Sequence, residues 1–263
     1  MPSLRNFTRR VRNRVARYFE EIIPGSEIAE SIDIDRLICP LRYDLHVRIE
    51  FIRLLRDSWP LYTDDLRGFL DRPESRAYYI WFHEVSCARY RPQIYGDERL
   101  VMPAFLKRVH ETASLWRSID QNGYDPSTPI RLESARSIRS VNGKTINSTY
   151  FAGDGCHRMS CLYVTGQTQL QPEQYKVRVH RDFQPLDNTA ILLMHLPLDR
   201  TAYLKFISRF YCGGTELDSE EEILRHVASE KASLRAELES VLAVDLPRIS
   251  PTSEYAVNEV DIH

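Results

Sequence analysis

The eight residues Phe151-Ala152-Gly153-Asp154-Gly155-Cys156-His157-Arg158 constrain this chain more than any other stretch. A strand-like run stops there, two glycines permit a tight turn, and a helical pattern begins within two or three residues. A strand that hands over to a helix so abruptly points the free N–H groups of the first helical turn, and the positive end of the helix dipole, at one spot. That spot is a cradle for an anion such as phosphate. His157 and Arg158 would add donors, with the planar Arg158 fork suited to a phosphate. Asp154 would hold a loop amide or a Mg²⁺ that accompanies a nucleotide. Taken alone the turn is a weak signal, because many strand-to-helix connections carry glycines and bind nothing.

The rest of the chain supplies the context. Apolar residues from Leu4 to Ile23 fall at helical spacing among Arg5, Arg9, Arg10, Arg12, Arg14 and Arg17, which predicts a basic amphipathic helix ended by Pro24-Gly25. Such a helix packs on its own domain or touches an anionic membrane surface or a protein partner. Leu41 to Arg56 is a second helical pattern, and Thr63-Asp64-Asp65 reads as the capped start of a third over Leu66 to Leu70. The aromatic run Ala77 to Phe82 predicts a buried strand, followed at once by His83-Glu84. Phe105 to Gln121 returns to helical periodicity and stops at Asn122-Gly123.

A strand is expected from Pro129-Ile130-Arg131-Leu132, and Val141-Asn142-Gly143-Lys144 is a two-residue hairpin signal whose flanks, Arg136 to Ser140 and Thr145 to Phe151, should pair antiparallel. Met159 to Val164 reads as a short helix stopped by Gly166, and Tyr175 to His180 alternates as a half-buried strand. Ala202 to Tyr211 and Glu220 to Leu242 are helical, with a polar, frayed tail after Pro251. The division expected is a helical lead-in over residues 1–75, a core over 76–182 and a helical extension over 183–263.

Composition narrows the classes. At 263 residues the chain can bury a full core, and no stretch approaches ~18 uninterrupted apolar residues. A net charge of -2 gives no global field for nucleic acid, so DNA contact would have to come from the local N-terminal patch. Five scattered cysteines without a CxxC, and no apolar leader, fit a reducing cytoplasm. The histidines show no paired ligand spacing for a structural zinc. Asp187-Asn188 and His195 follow the core in sequence, where a loop and a core histidine explain them as well as a role lining the cleft.

Ser118-Ile119-x-x-Asn122-Gly123-Tyr124, Pro129-Ile130, Asp154-Gly155-x-His157-Arg158 and Gly166 follow one another in an order that resembles the ParB/sulfiredoxin superfamily, over about Ile80 to Val179. That core shows a helix ending in SI-x-x-x-G, a strand beginning PI, a DG-x-HR or GCHR turn into a helix closed by LG, and a final strand. Departures are the extra residues between Arg89 and Phe105, the long hairpin, and Thr165 in place of the leucine of LG. The resemblance implies an α+β fold with a mixed-sheet core, and helical additions at both ends.

Three branches of the superfamily imply different chemistry. The free serine kinase branch implies a nucleotide-dependent phosphotransferase acting on a small hydroxyl-bearing metabolite or sugar, with ATP or ADP (or CTP) and Mg²⁺. On that reading Gly153, Asp154, Gly155, Cys156, His157 and Arg158 hold the phosphates. Glu84, beside His83, is the base that takes the acceptor proton, and His157 assists. The sulfiredoxin branch would instead make Cys156 an ATP-dependent nucleophile, its thiol sitting at a helix N-terminus beside His157 and Arg158. The third branch, a nucleotide-gated DNA clamp, fits less well, because Met159 and Ser160 follow Arg158 where a second arginine is expected and no helix-turn-helix follows Arg181.

Overall fold

A computed structural model describes residues 19–228, 232–244 and 246, with no side-chain description for 19, 20 and 232. It is a mixed α+β architecture around one four-stranded sheet of order β1-β6-β3-β4, with β1 at Phe19–Pro24, β3 at Ile130–Ile138, β4 at Phe151–Asp154 and β6 at Tyr175–Phe183. The central pair β3 and β6 is parallel, and the outer strands β1 and β4 run antiparallel to their neighbours. A two-stranded ladder of β2 (Ile32–Asp33) and β5 (Gln169–Leu170) stands apart. Helices enclose the sheet, and one hydrophobic cluster runs from Ile32 to Leu242. Among the described residues no helix is long and apolar enough to cross a membrane.

Two elements differ from expectation. Phe19–Pro24 is strand rather than the end of a helix. Its Ile22 and Ile23 pair with Arg178 and Val177, so it completes the ladder along an edge of β6 that would otherwise be open. The remainder of the predicted basic helix, over 4–18, lies outside the described residues, as does the tail after 251.

Ala77 to Phe82 is helix rather than strand: Pro73–Ile80 is α-helical and passes without a break into a π-helical stretch, Trp81–Cys87, ending in Ala88–Tyr90. Pro73 at the first turn fits a helix start. The fully buried Tyr78 and Phe82, four residues apart, share one face, and Tyr78 stacks on Phe51 with ring centroids 3.9 Å apart. Five aromatic or β-branched residues in a row, Tyr78 to Phe82, fit a buried strand or a buried helix equally, and packing against neighbouring helices decided for the helix.

The hairpin is a turn without its ladder. Val141 and Lys144 exchange backbone hydrogen bonds of 2.8 and 2.9 Å, and Asn142 and Gly143 both have positive φ, as a type I′ turn requires. The flanks do not pair; β3 meets β4 further out, Leu132 opposite Ala152 and Glu133 opposite Phe151. The backbone N–H of Asn147 bonds instead to Glu237 at 2.8 Å, and that of Arg139 to the Phe183 carbonyl at 2.9 Å. The other predicted elements are present, with Tyr43–Asp57, Leu66–Leu70, Glu98–Asn122, Cys156–Val164 and Arg200–Tyr211 helical, and the last predicted helix divided into Glu220–Val227 and Ala232–Leu242. A further short helix, Trp59–Asp64, precedes the Asp65 cap.

Candidate functional site

The strand-to-helix turn forms as its residues dictate. Gly155 adopts φ 83° and ψ 18°, a left-handed conformation open to glycine, and directly precedes the Cys156–Val164 helix. No side chain caps that helix and no acid sits in its first turn, so its leading N–H groups and dipole are left for another anion. Gly153 has a different reason: a Cβ there would stand 2.5 Å from Glu133 Oε1 and 2.9 Å from the Arg131 carbonyl. Asp154 takes the loop-amide role, its Oδ1 accepting from the Gly155 N–H at 2.7 Å.

The turn opens on a cavity of about 760 Å³ lined by seven arginines and three carboxylates. Its floor comes from the start of the Tyr43–Asp57 helix. The fully buried Asp44 accepts from Arg42 Nε at 2.8 Å and from Arg42 Nη2 at 3.1 Å, and also pairs with Arg48. Burial pushes the Asp44 carboxyl up, but the two guanidiniums overcome this and hold it well below the ordinary carboxylate range. Arg42 reaches from that carboxylate to the turn itself, donating to the Ala152 carbonyl and lying 3.4 Å from Cys156 Sγ. The sheet provides a second wall through Arg131 and Glu133 of β3 and Arg178 and His180 of β6. The π-helical stretch provides a third, through Trp81, Val85 and Ser86, with Arg89 and Tyr90 after it. Arg48 stacks over Trp81, its guanidinium carbon 4.0 Å from the ring centroid.

Four buried polar atoms of cavity residues, Arg48 Nε, Trp81 Nε1, Arg108 Nε and Asn188 Oδ1, find no hydrogen-bond partner within the protein. Buried polar groups are seldom left unpaired, and these four belong to residues that line the arginine-rich cavity.

Each residue expected from the sequence has a definite place. Gly153, Asp154, Gly155, Cys156, His157 and Arg158 all line the cavity. Arg158 is braced by the Thr128 carbonyl. His157 is half-buried, its Nε2 is 2.7 Å from the Tyr78 hydroxyl, and desolvation, followed by the charges of Arg48 and Arg108, pushes its pKa well down. It is therefore neutral and adds no cation to the cradle. Asn188 lines the cavity too, beyond what its position after the core suggested.

Glu84 and His83 are elsewhere. Neither belongs to the lining; Glu84 accepts from Tyr95 at 3.0 Å and lies 2.7 Å from His83 Nδ1 and 3.5 Å from His195 Nε2. Among the described residues no group of three or more His, Cys, Asp or Glu could hold a metal ion. With Asp154 Oδ1 already on an amide and Oδ2 3.7 Å from Arg131 Nη1, a Mg²⁺ here would be carried by a ligand's phosphates rather than by a preformed protein site.

The sequence reading missed Arg42, Asp44, Arg48, Arg131, Glu133, Arg178 and His180. A signal for four of them was present, because Arg131-x-Glu133 and Arg178-x-His180 place ionisable groups two apart on a strand, and so on one face of the sheet. Comparison of the chain with protein-family models, curated proteins and solved structures gives no match in any of the three.

Proposed function

We propose that this chain is a nucleotide-dependent phosphotransferase with a ParB/sulfiredoxin-type core, which binds ATP, ADP or CTP with Mg²⁺ and passes a phosphoryl group to a small hydroxyl-bearing acceptor. One observation carries the reading: an uncapped helix N-terminus, reached through a left-handed Gly155, faces a cavity in which seven arginines outnumber three carboxylates. Two of those carboxylates are engaged by arginines at 3.1 Å or less, so the remaining positive charge calls for a ligand with several negative charges, as a nucleoside polyphosphate has. The cavity volume exceeds what a phosphate alone would use. The ordered motifs Pro129-Ile130, Asp154-Gly155-x-His157-Arg158 and Gly166 support the family assignment.

Titration calorimetry with Mg·ATP, Mg·CTP and tripolyphosphate tests the cradle. Arg158→Ala should weaken all three about tenfold, the loss of roughly one charge-assisted contact, while its melting temperature stays close to the parent's. Absence of binding by all three ligands would sink the reading.

A second reading is favoured by one contact, the Cys156 thiol 3.4 Å from Arg42 Nη2 at the helix N-terminus. It makes Cys156 a nucleophile in ATP-dependent cysteine chemistry. Phosphorus NMR with a hydroxyl-metabolite panel separates the two: transfer that survives Cys156→Ser belongs to the phosphotransferase.

A further inference from the structure

We infer that Glu133 is the proton acceptor of the transfer, positioned by His180, an inference that rests on the phosphotransferase reading. A base for the acceptor hydroxyl must share the cavity with the phosphate turn, and three carboxylates do. Asp44 is fully buried, with Oδ1 taken by Arg42 and Oδ2 shared between Arg42 and Arg48, which leaves no free side for a substrate hydroxyl. Asp154 has a side chain 67% exposed and is occupied with the Gly155 amide.

Glu133 is the carboxylate that remains. It lies against the turn, since its Oε1 is the atom that a Cβ on Gly153 would strike. Its Oε1 accepts from Arg131 Nε at 3.0 Å and its Oε2 lies 2.5 Å from His180 Nε2. A carboxylate that is to take the proton can only accept beforehand, and in that role His180 donates to it from Nε2. Each carboxylate oxygen keeps a second lone pair, and that is the one a substrate hydroxyl would meet. His180 and Arg131 thus fix the carboxylate from two sides, as a preorganised base requires.

The step balances without a further reactant. As the acceptor oxygen forms its bond to the γ-phosphorus, the bond from that phosphorus to the bridging oxygen breaks. The nucleoside diphosphate leaves with that electron pair, and the hydroxyl proton passes to Glu133 and then to water.

The opposing view is that Glu133 only balances the charge of Arg131 and Arg178, whose Nε is 4.0 Å away. The test is to measure Mg·ATP binding and ADP release, with water and with a panel of sugars, hydroxy acids and amino alcohols, in the parent, Glu133→Gln, Glu84→Gln, His180→Phe and His180→Gln. We expect Glu133→Gln to cut turnover about 100-fold or more while binding Mg·ATP as tightly as the parent or tighter, because a negative charge beside the phosphates is gone. His180→Phe should lower turnover about tenfold without weakening binding, and His180→Gln, which keeps an N–H donor, should restore most of it. Full turnover in Glu133→Gln, or its loss in Glu84→Gln instead, overturns the assignment. So does a parent that binds Mg·ATP but releases no ADP with any acceptor. A parent that binds neither Mg·ATP nor tripolyphosphate brings down the phosphotransferase reading itself, an outcome separate from these.

Discussion

Glu84 and Glu133 both sit against an imidazole nitrogen, at 2.7 and 2.5 Å, and both are largely buried, yet their surroundings have little else in common. Glu84 is closed in by His83, His195 and the Tyr95 hydroxyl, with Tyr79 and Tyr95 flanking the His83 ring. None of these residues lines the cavity at the phosphate turn. Glu133 has Arg131 at 3.0 Å and the turn's Gly153 pressed against it, and it opens on a cavity rich in arginine. A carboxylate held by histidine is therefore a poor guide to chemistry by itself. What separates the two is whether empty volume and unbalanced charge lie next to it.

The largest effect should come from the floor that carries this charge. Asp44→Ala would leave Arg42 and Arg48 buried without their counter-charge, and should cost about 3–5 kcal/mol in urea unfolding. A cost as small as that of Glu84→Gln would mean that the arginines of the floor are not held as described, and would erase the contrast between the two regions.

Acid sharpens it next. His157 is half-buried and its folded-state pKa lies well below the usual 6.5, so below that pH the unfolded chain binds the proton and the folded chain does not. Its contribution to stability should fall by about 1.4 kcal/mol for each pH unit below about 6.5, until the pH reaches the folded value. His157→Phe should flatten the parent's loss of stability between about pH 6.5 and 5 by that amount, measured by denaturant titration. An unchanged slope would show that the imidazole is charged in the fold. The smallest effect belongs to the other glutamate: Tyr95→Phe removes one hydrogen bond to Glu84 and should cost about 0.5–1.5 kcal/mol, with Mg·ATP affinity unchanged. A drop in that affinity would join the two regions into one site.

The local elements of the core were legible where short-range chemistry decides conformation. The Gly153-Asp154-Gly155 turn, the Asn142-Gly143 turn and the Asp65 cap, which accepts from the Gly68 N–H at 2.9 Å, are set by backbone freedom and neighbouring side chains. Tyr175 to His180, most of β6, was legible from its alternation. Trp81 to Cys87 was not, because its aromatic density carries no period that separates strand from helix, and the choice fell to Phe51 and Phe105 packing on Tyr78 and Phe82. Phe19–Pro24 was misread for a related reason, since pairing with a strand about 155 residues later overrode a helical spacing.

By itself the sequence determined the turn at Asp154 to Arg158, the helix that follows it and the residues that line its mouth, because those depend on contacts within one turn of chain. Only the tertiary structure decided what surrounds that mouth. Arg42 and Arg48 come from one helix, Arg108 from another, and Arg131 and Arg178 from parallel strands paired at long range, and their convergence depends on packing between elements far apart in the chain. The same packing turned Glu84 away from the cavity and set Glu133 beside the turn.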